Sequence, residues 1–124
     1  MAVTVGPFLS AVLLVALSVA ACSAHLPTPR TGPHLGEQPA IVPFPPPPGK
    51  VEVIPPRPPA LRDPVWIDGE WDWTGRRWQW KDGAWSDQAP DAYYAPPTTL
   101  RASDGTLEYL PGVWKKKAAP APAP

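Results

Sequence analysis

The sequence predicts a small all-β fold: an antiparallel meander of Trp-rich hairpins, preceded by a signal helix and a long Pro-rich disordered linker. Three observations carry this expectation. Most of the seven tryptophans in 124 residues stand two or five apart. Gly-containing turn dipeptides fall inside the five-residue intervals, as in Trp66-Ile67-Asp68-Gly69-Glu70-Trp71 and Trp80-Lys81-Asp82-Gly83-Ala84-Trp85. Most of the 22 prolines lie ahead of this block, where fixed φ and missing N–H donors disfavour regular structure. The length allows one domain at most.

Residues 1–21, MAVTVGPFLSAVLLVALSVAA, carry no charged side chain, and 8–21 have the length and composition of a secretory apolar region. The segment runs through Val19, Ala20 and Ala21 into Cys22, the one cysteine of the chain. Small residues ahead of a lone thiol suit cleavage and thioether attachment. This pattern resembles the lipobox of bacterial lipoproteins. The resemblance implies removal of residues 1–21, a diacylglycerol on the Cys22 thiol and an acyl chain such as palmitate on the new amine. Ser23 in the following position implies sorting to the outer membrane, facing the periplasm. The competing expectation is an uncleaved inner-membrane anchor, because residues 2–21 would span ~30 Å of hydrocarbon as a helix. With Cys22 lipidated, no thiol remains for a disulfide.

Fourteen prolines lie from Ser23 through Pro64. Residues 22–63 are therefore expected to be a lipidated cysteine followed by a spacer with stiff polyproline II pieces, reaching on the order of 130 Å if fully extended. Within it, Val51-Glu52-Val53-Ile54 alone has strand-like alternation, restricted to an edge by its proline neighbours. His25 and His34 lie here without a Cys or acidic cluster, which argues against a metal site. Residues 118–124 form an Ala/Pro tail.

Residues 64–117 hold the hairpins. Asp-Gly favours a two-residue type I′ turn, and Gly in the first central place favours type II′. Turns at Gly69, Gly75 and Gly83 then set Trp66 opposite Trp71, Trp73 opposite Trp78, Trp71 opposite Trp80, and Trp80 opposite Trp85. Residues two apart share a strand face, so Trp66, Trp71, Trp73, Trp78, Trp80 and Trp85 are expected on one side. Glu70 opposite Lys81 and Asp72 opposite Gln79 would form a solvated opposite side. Turns at Gly105 and Gly112 extend the scheme, with Arg101 opposite Glu108, Leu100 opposite Tyr109, Tyr109 opposite Trp114 and Glu108 opposite Lys115. The bridge from Asp87 to Thr99 receives no assignment.

These blocks resemble the WXXGXW (YXWGXW) repeat family of small exported bacterial proteins, many of them lipoproteins. Trp66, Gly69 and Trp71 fit the motif, as do Trp80, Gly83 and Trp85; Tyr109, Gly112 and Trp114 fit its tyrosine form. The resemblance covers residues 64 to 115 and brings no established activity with it.

Eleven basic and eleven acidic residues give a formal net charge of zero, which excludes the electrostatic footprint of a nucleic-acid binder. No nucleophile stands near a base and no paired carboxylates mark a cleft, so neither an enzyme nor a cofactor site is expected. The remaining classes concern the aromatic face. Each indole presents roughly 150–250 Å², more in sum than a soluble monomer leaves bare. Either the face packs against the second hairpin set or the Pro-rich pieces 45–48 and 55–59, as in structural roles, or it binds peptidoglycan, another glycan or an extended envelope peptide. Assembly through sheet edges is a third possibility, and the sequence leaves the oligomeric state open.

Overall fold

The computed structural model describes residues 2–3, 25–118 and 122–123. The expected signal helix and Cys22 lie outside these residues. Among the described residues nine short strands form small antiparallel sheets, and no helix is long and apolar enough to cross a membrane. The fold is all-β.

Two long hairpins dominate. In the first, β2 (Pro64–Ile67) pairs with β5 (Ala84–Asp87), and β3 (Glu70–Trp73) pairs with β4 (Trp78–Lys81). A single register runs through both pairs and centres on Gly75-Arg76. Gly75 has φ 92°, the left-handed value that a type II′ turn requires of its first central residue. Across the turn, the Thr74 amide donates to the Arg77 carbonyl at 3.0 Å. Trp73 faces Trp78, Trp71 faces Trp80, Glu70 faces Lys81 and Asp72 faces Gln79, as the turn chemistry predicts.

The two Asp-Gly stretches do not make turns, which corrects the expected four-stranded meander. They interrupt the ladder opposite each other within one long hairpin, and Trp66 pairs with Trp85 rather than with Trp71. Neither Gly69 nor Gly83 has positive φ, so the type I′ requirement is unmet. Their use is different. A Cβ on Gly69 would strike the Trp80 ring, and one on Gly83 would lie 2.6 Å from the Trp66 ring. Glycine here admits a close approach of indoles to the backbone.

The second hairpin repeats the plan. β6 (Ala92–Ala95) pairs with β9 (Val113–Lys116), and β7 (Thr98–Arg101) pairs with β8 (Leu107–Leu110). Its interruption sets Pro96-Pro97 against Pro111-Gly112, so Gly112 closes no hairpin. Tyr109 faces Thr99, and Trp114 faces Tyr94. The end turn is one residue wider than expected. Ala102 donates to Thr106 at 2.8 Å, and Gly105, at φ 88°, donates back to Ala102 at 2.9 Å, the pattern of a three-residue loop with a left-handed glycine. That extra residue moves Leu100 to Glu108 and Arg101 to Leu107, and the missing turn at Gly112 leaves Lys115 opposite Tyr93 instead of Glu108.

The Pro-rich segment is not a free spacer over its described residues. Residues 27–37 cross the second hairpin. Tyr94 donates its amide to Arg30, Gly32 donates to Tyr94, and a parallel bridge joins Thr31 to Tyr94. The Arg30 guanidinium donates to the carbonyls of Ala89, Pro90 and Ala92, capping the connection between hairpins. β1 (Ala40–Val42) then joins the edge of β8. Its Val42 packs with Trp78 and Tyr109 in a small core bordered by Trp71, Trp73 and Leu107. The Val51–Ile54 window forms no strand.

Candidate functional site

The six tryptophans of the first hairpin stand as three cross-strand pairs. Ring centroids are 5.6 Å apart for Trp66 and Trp85, 5.3 Å for Trp71 and Trp80, and 5.2 Å for Trp73 and Trp78, all edge-to-face. This arrangement places the positive ring edge against the negative face of the partner. Tyr94 and Trp114 repeat it in the second hairpin at 5.5 Å.

Residues 44–57 lie along these pairs as a strap. The indole N–H of Trp78 donates to the Phe44 carbonyl at 3.2 Å, that of Trp71 to Pro48 at 3.0 Å, and that of Trp85 to Pro55 at 2.7 Å. Polyproline II leaves its carbonyls free, so an indole row can read it in this way. Phe44 meets Trp73 edge-on at 5.9 Å. The Lys50 ammonium sits 5.2 Å from the Trp71 ring and 5.7 Å from Trp80, while Arg57 lies over Trp85. Trp66 and Trp78 are buried and the remaining indoles half-buried. A buried indole N–H group left without an acceptor would cost ~1–3 kcal/mol; the strap removes that cost for Trp78.

Glu52 occupies the centre of the strap. Its two carboxylate oxygens accept the backbone N–H groups of Gly69 and Gly83, each at 2.9 Å. The opposed Asp-Gly stretches thus form a two-amide receptor for one carboxylate, and charge-assisted bonds of this kind are stronger than neutral ones. Sequence reasoning missed Glu52. The alternation of Val51-Glu52-Val53 was visible, but its sense is inverted in the fold: Val51 and Val53 are fully or nearly fully exposed, at 101% and 95%, and the charged residue between them turns inward.

The second hairpin carries a related but altered interruption. Tyr94-Ala95-Pro96-Pro97-Thr98-Thr99 occupies the place of a fourth repeat, with Pro97 where the others have glycine. Pro97 has no N–H to donate. Here the carboxylate belongs to Glu70, and the Tyr94 hydroxyl donates to it at 3.0 Å. Glu70 is 6% exposed, which corrects its expected place on a solvated face. Tyr94 and Gly112, on either side of the second interruption, close over it. Gly112 completes the contact, because a Cβ there would collide with the Tyr94 hydroxyl and lie 2.5 Å from Glu70 Oε2. Tyr109 reaches the first hairpin too, donating to the Trp71 carbonyl at 2.7 Å. Burial, with the charge of Glu70 close by, raises both phenol pKa values far above the ordinary tyrosine range.

A cleft of about 380 Å³ opens between the hairpins above this pair, walled by Trp85, Tyr94 and Trp114 and rimmed by Asp68, Asp82 and Lys81. Among the described residues no group of three or more His, Cys, Asp and Glu is placed to hold a metal ion. His34 contacts the Pro96 carbonyl through Nε2 at 2.7 Å, and Lys115 pairs with Glu37, so these residues fasten the segment 27–37 to the second hairpin.

No family model, curated protein or solved structure matches this chain.

Proposed function

We propose that this chain is a lipid-anchored protein of the cell envelope with a structural or interaction role and no catalytic activity. Its membrane attachment would be diacylglycerol and acyl chains on Cys22, on the inner face of the outer membrane. The single observation that favours a structural role is the engagement of the tryptophan row by the chain's own strap. Indole N–H groups that donate to Phe44, Pro48 and Pro55 are not free for a glycan, and an open peptidoglycan platform is the less supported alternative.

The docked strap also changes the geometry of anchoring. The Trp66 amide donates to the Pro27 carbonyl at 2.8 Å, so only a few residues separate Cys22 from the folded part. At ~3.3–3.6 Å per residue that link reaches roughly 18 Å. A lipid on Cys22 therefore holds the hairpins at the membrane surface instead of projecting them on a long spacer.

Metabolic labelling with an alkyne palmitate tests the anchor. Wild-type protein takes up label and Cys22→Ala does not; equal labelling of both ends the anchored reading. Fluorescence quenching by acrylamide tests the covered row separately: the described contacts require emission resistant to quencher in the full chain, and fully accessible indoles would reopen the platform alternative.

A further inference from the structure

We propose that the cleft between the hairpins is a binding site for a primary ammonium ion on a short aliphatic stem, as at the end of a lysine side chain. The site is independent of how the chain is anchored.

Its floor is Glu70. The side chain is 5% exposed, and Oε2 accepts the Tyr94 hydroxyl while Oε1 has no hydrogen-bond partner. A buried carboxylate oxygen without a donor is costly, and a cation removes the cost. Asp68 and Asp82 line the same cleft, so three carboxylates face one lysine there. Lys81 supplies the internal ammonium. It stands 3.8 Å from Glu70 Oε1, beyond hydrogen-bond distance, and its side chain is 66% exposed. The cleft therefore holds its own cation loosely at the rim, in a position that an incoming ammonium can take with a shorter contact.

The walls fit the stem and the charge together. Trp85, Tyr94 and Trp114 present aromatic surface around the carboxylate, and ring faces attract ammonium groups that have shed water. Gly112 keeps the floor open, since any Cβ there would occupy the space beside Glu70 and Tyr94. A guest of about 380 Å³ or less is admitted, which suits a side-chain-sized ligand.

Titration of the full chain in a non-ionic detergent, followed through the indole N–H resonances of Trp85 and Trp114, tests the site. Nα-acetyl-lysine methylamide should give saturable shifts. The norleucine analogue, which keeps the four-carbon stem and lacks the ammonium group, should bind about tenfold more weakly or not at all. Glu70→Gln should reduce lysine-probe affinity by about tenfold. Lys81→Ala should tighten binding by about threefold, because it removes the internal competitor. Equal shifts with both probes, or unchanged or weaker binding in Lys81→Ala, overturn the proposal. If Glu70→Gln fails to fold, the opposite-signed Lys81→Ala result still decides it, since a purely structural ion pair gives no gain.

Discussion

Gly69 and Gly83, diagonal to each other in the opposed Asp-Gly stretches of the first hairpin, donate their amides to the two oxygens of one carboxylate, that of Glu52, each at 2.9 Å. Two repeats thereby build one receptor. Each repeat alone offers a single N–H and two indoles; opposition converts them into a closed site that fixes the strap by its one carboxylate. Hydrogen bonds to a half-buried carboxylate contribute more than neutral ones. Glu52→Ala should lower stability by ~2–3 kcal/mol, and Glu52→Gln, which keeps one acceptor oxygen, by roughly half of that. Urea unfolding midpoints of the full chain check both, and equal midpoints for wild type and Glu52→Ala would remove the receptor from the account.

Glycine substitutions separate close approach from backbone freedom. In Gly83→Ala the new methyl would lie 2.7 Å from the Ile67 carbonyl, a backbone atom that cannot swing aside. In Gly69→Ala its nearest neighbours are atoms of the Trp80 and Glu52 side chains. Overpacking of this kind costs ~1–3 kcal/mol, with Gly83→Ala expected at the upper end and Gly69→Ala at the lower. Gly49→Ala, with nothing within 4 Å, should be neutral or stabilising by up to ~1 kcal/mol. Thermal midpoints of the three variants give the order directly.

The features legible in the sequence were those decided locally. Gly75 stands at the first central place of a two-residue turn, and that one position sets the pairs Trp73 with Trp78 and Trp71 with Trp80. Asp68-Gly69 has equally strong turn chemistry, yet it bends no hairpin, because its conformation is decided by Gly83 across the ladder and by Glu52 from seventeen residues upstream. Local preference loses to these non-local contacts. Asp104-Gly105 does turn, but a dipeptide does not distinguish a two-residue loop from a three-residue loop, and the one-residue difference changes every pair behind it. The strap escaped for another reason. Proline-rich backbone makes no ladder of its own, so its order appears only in the demands of other residues, namely the indole N–H groups of Trp71, Trp78 and Trp85, which need acceptors.

Tyr94→Phe tests the contact between the hairpins. The substitution preserves the ring that meets Trp114 and deletes only the hydroxyl that donates to Glu70. A buried carboxylate that loses a donor costs ~1–3 kcal/mol. Removing the charge as well should recover part of the loss, so Tyr94→Phe with Glu70→Gln is expected to be less than additive. A double-mutant cycle in urea measures the coupling; strict additivity would mean that the two groups do not support each other.

Alkaline pH provides a test that needs no buried substitution. Tyr94 and Tyr109 both have folded-state pKa values raised above the ordinary value of 10.0, chiefly by burial and then by the charge of Glu70. In the unfolded chain these phenols lose their protons near pH ~10, whereas in the fold they keep them. Above that pH the native state binds more protons than the unfolded state, and stability falls with each further increase. The contribution is fully present below pH ~10 and is lost as pH rises toward the folded pKa values. Urea midpoints should therefore decline from pH ~10 upward in wild type, and the decline should be shallower in Tyr109→Phe, where one of the two raised phenols is gone. Tyr109→Phe also deletes the bond to the Trp71 carbonyl, so its midpoint starts lower at neutral pH. The slope against pH, not the starting value, is the discriminating quantity: an unchanged slope would show that Tyr109 does not titrate differently in the folded and unfolded chain.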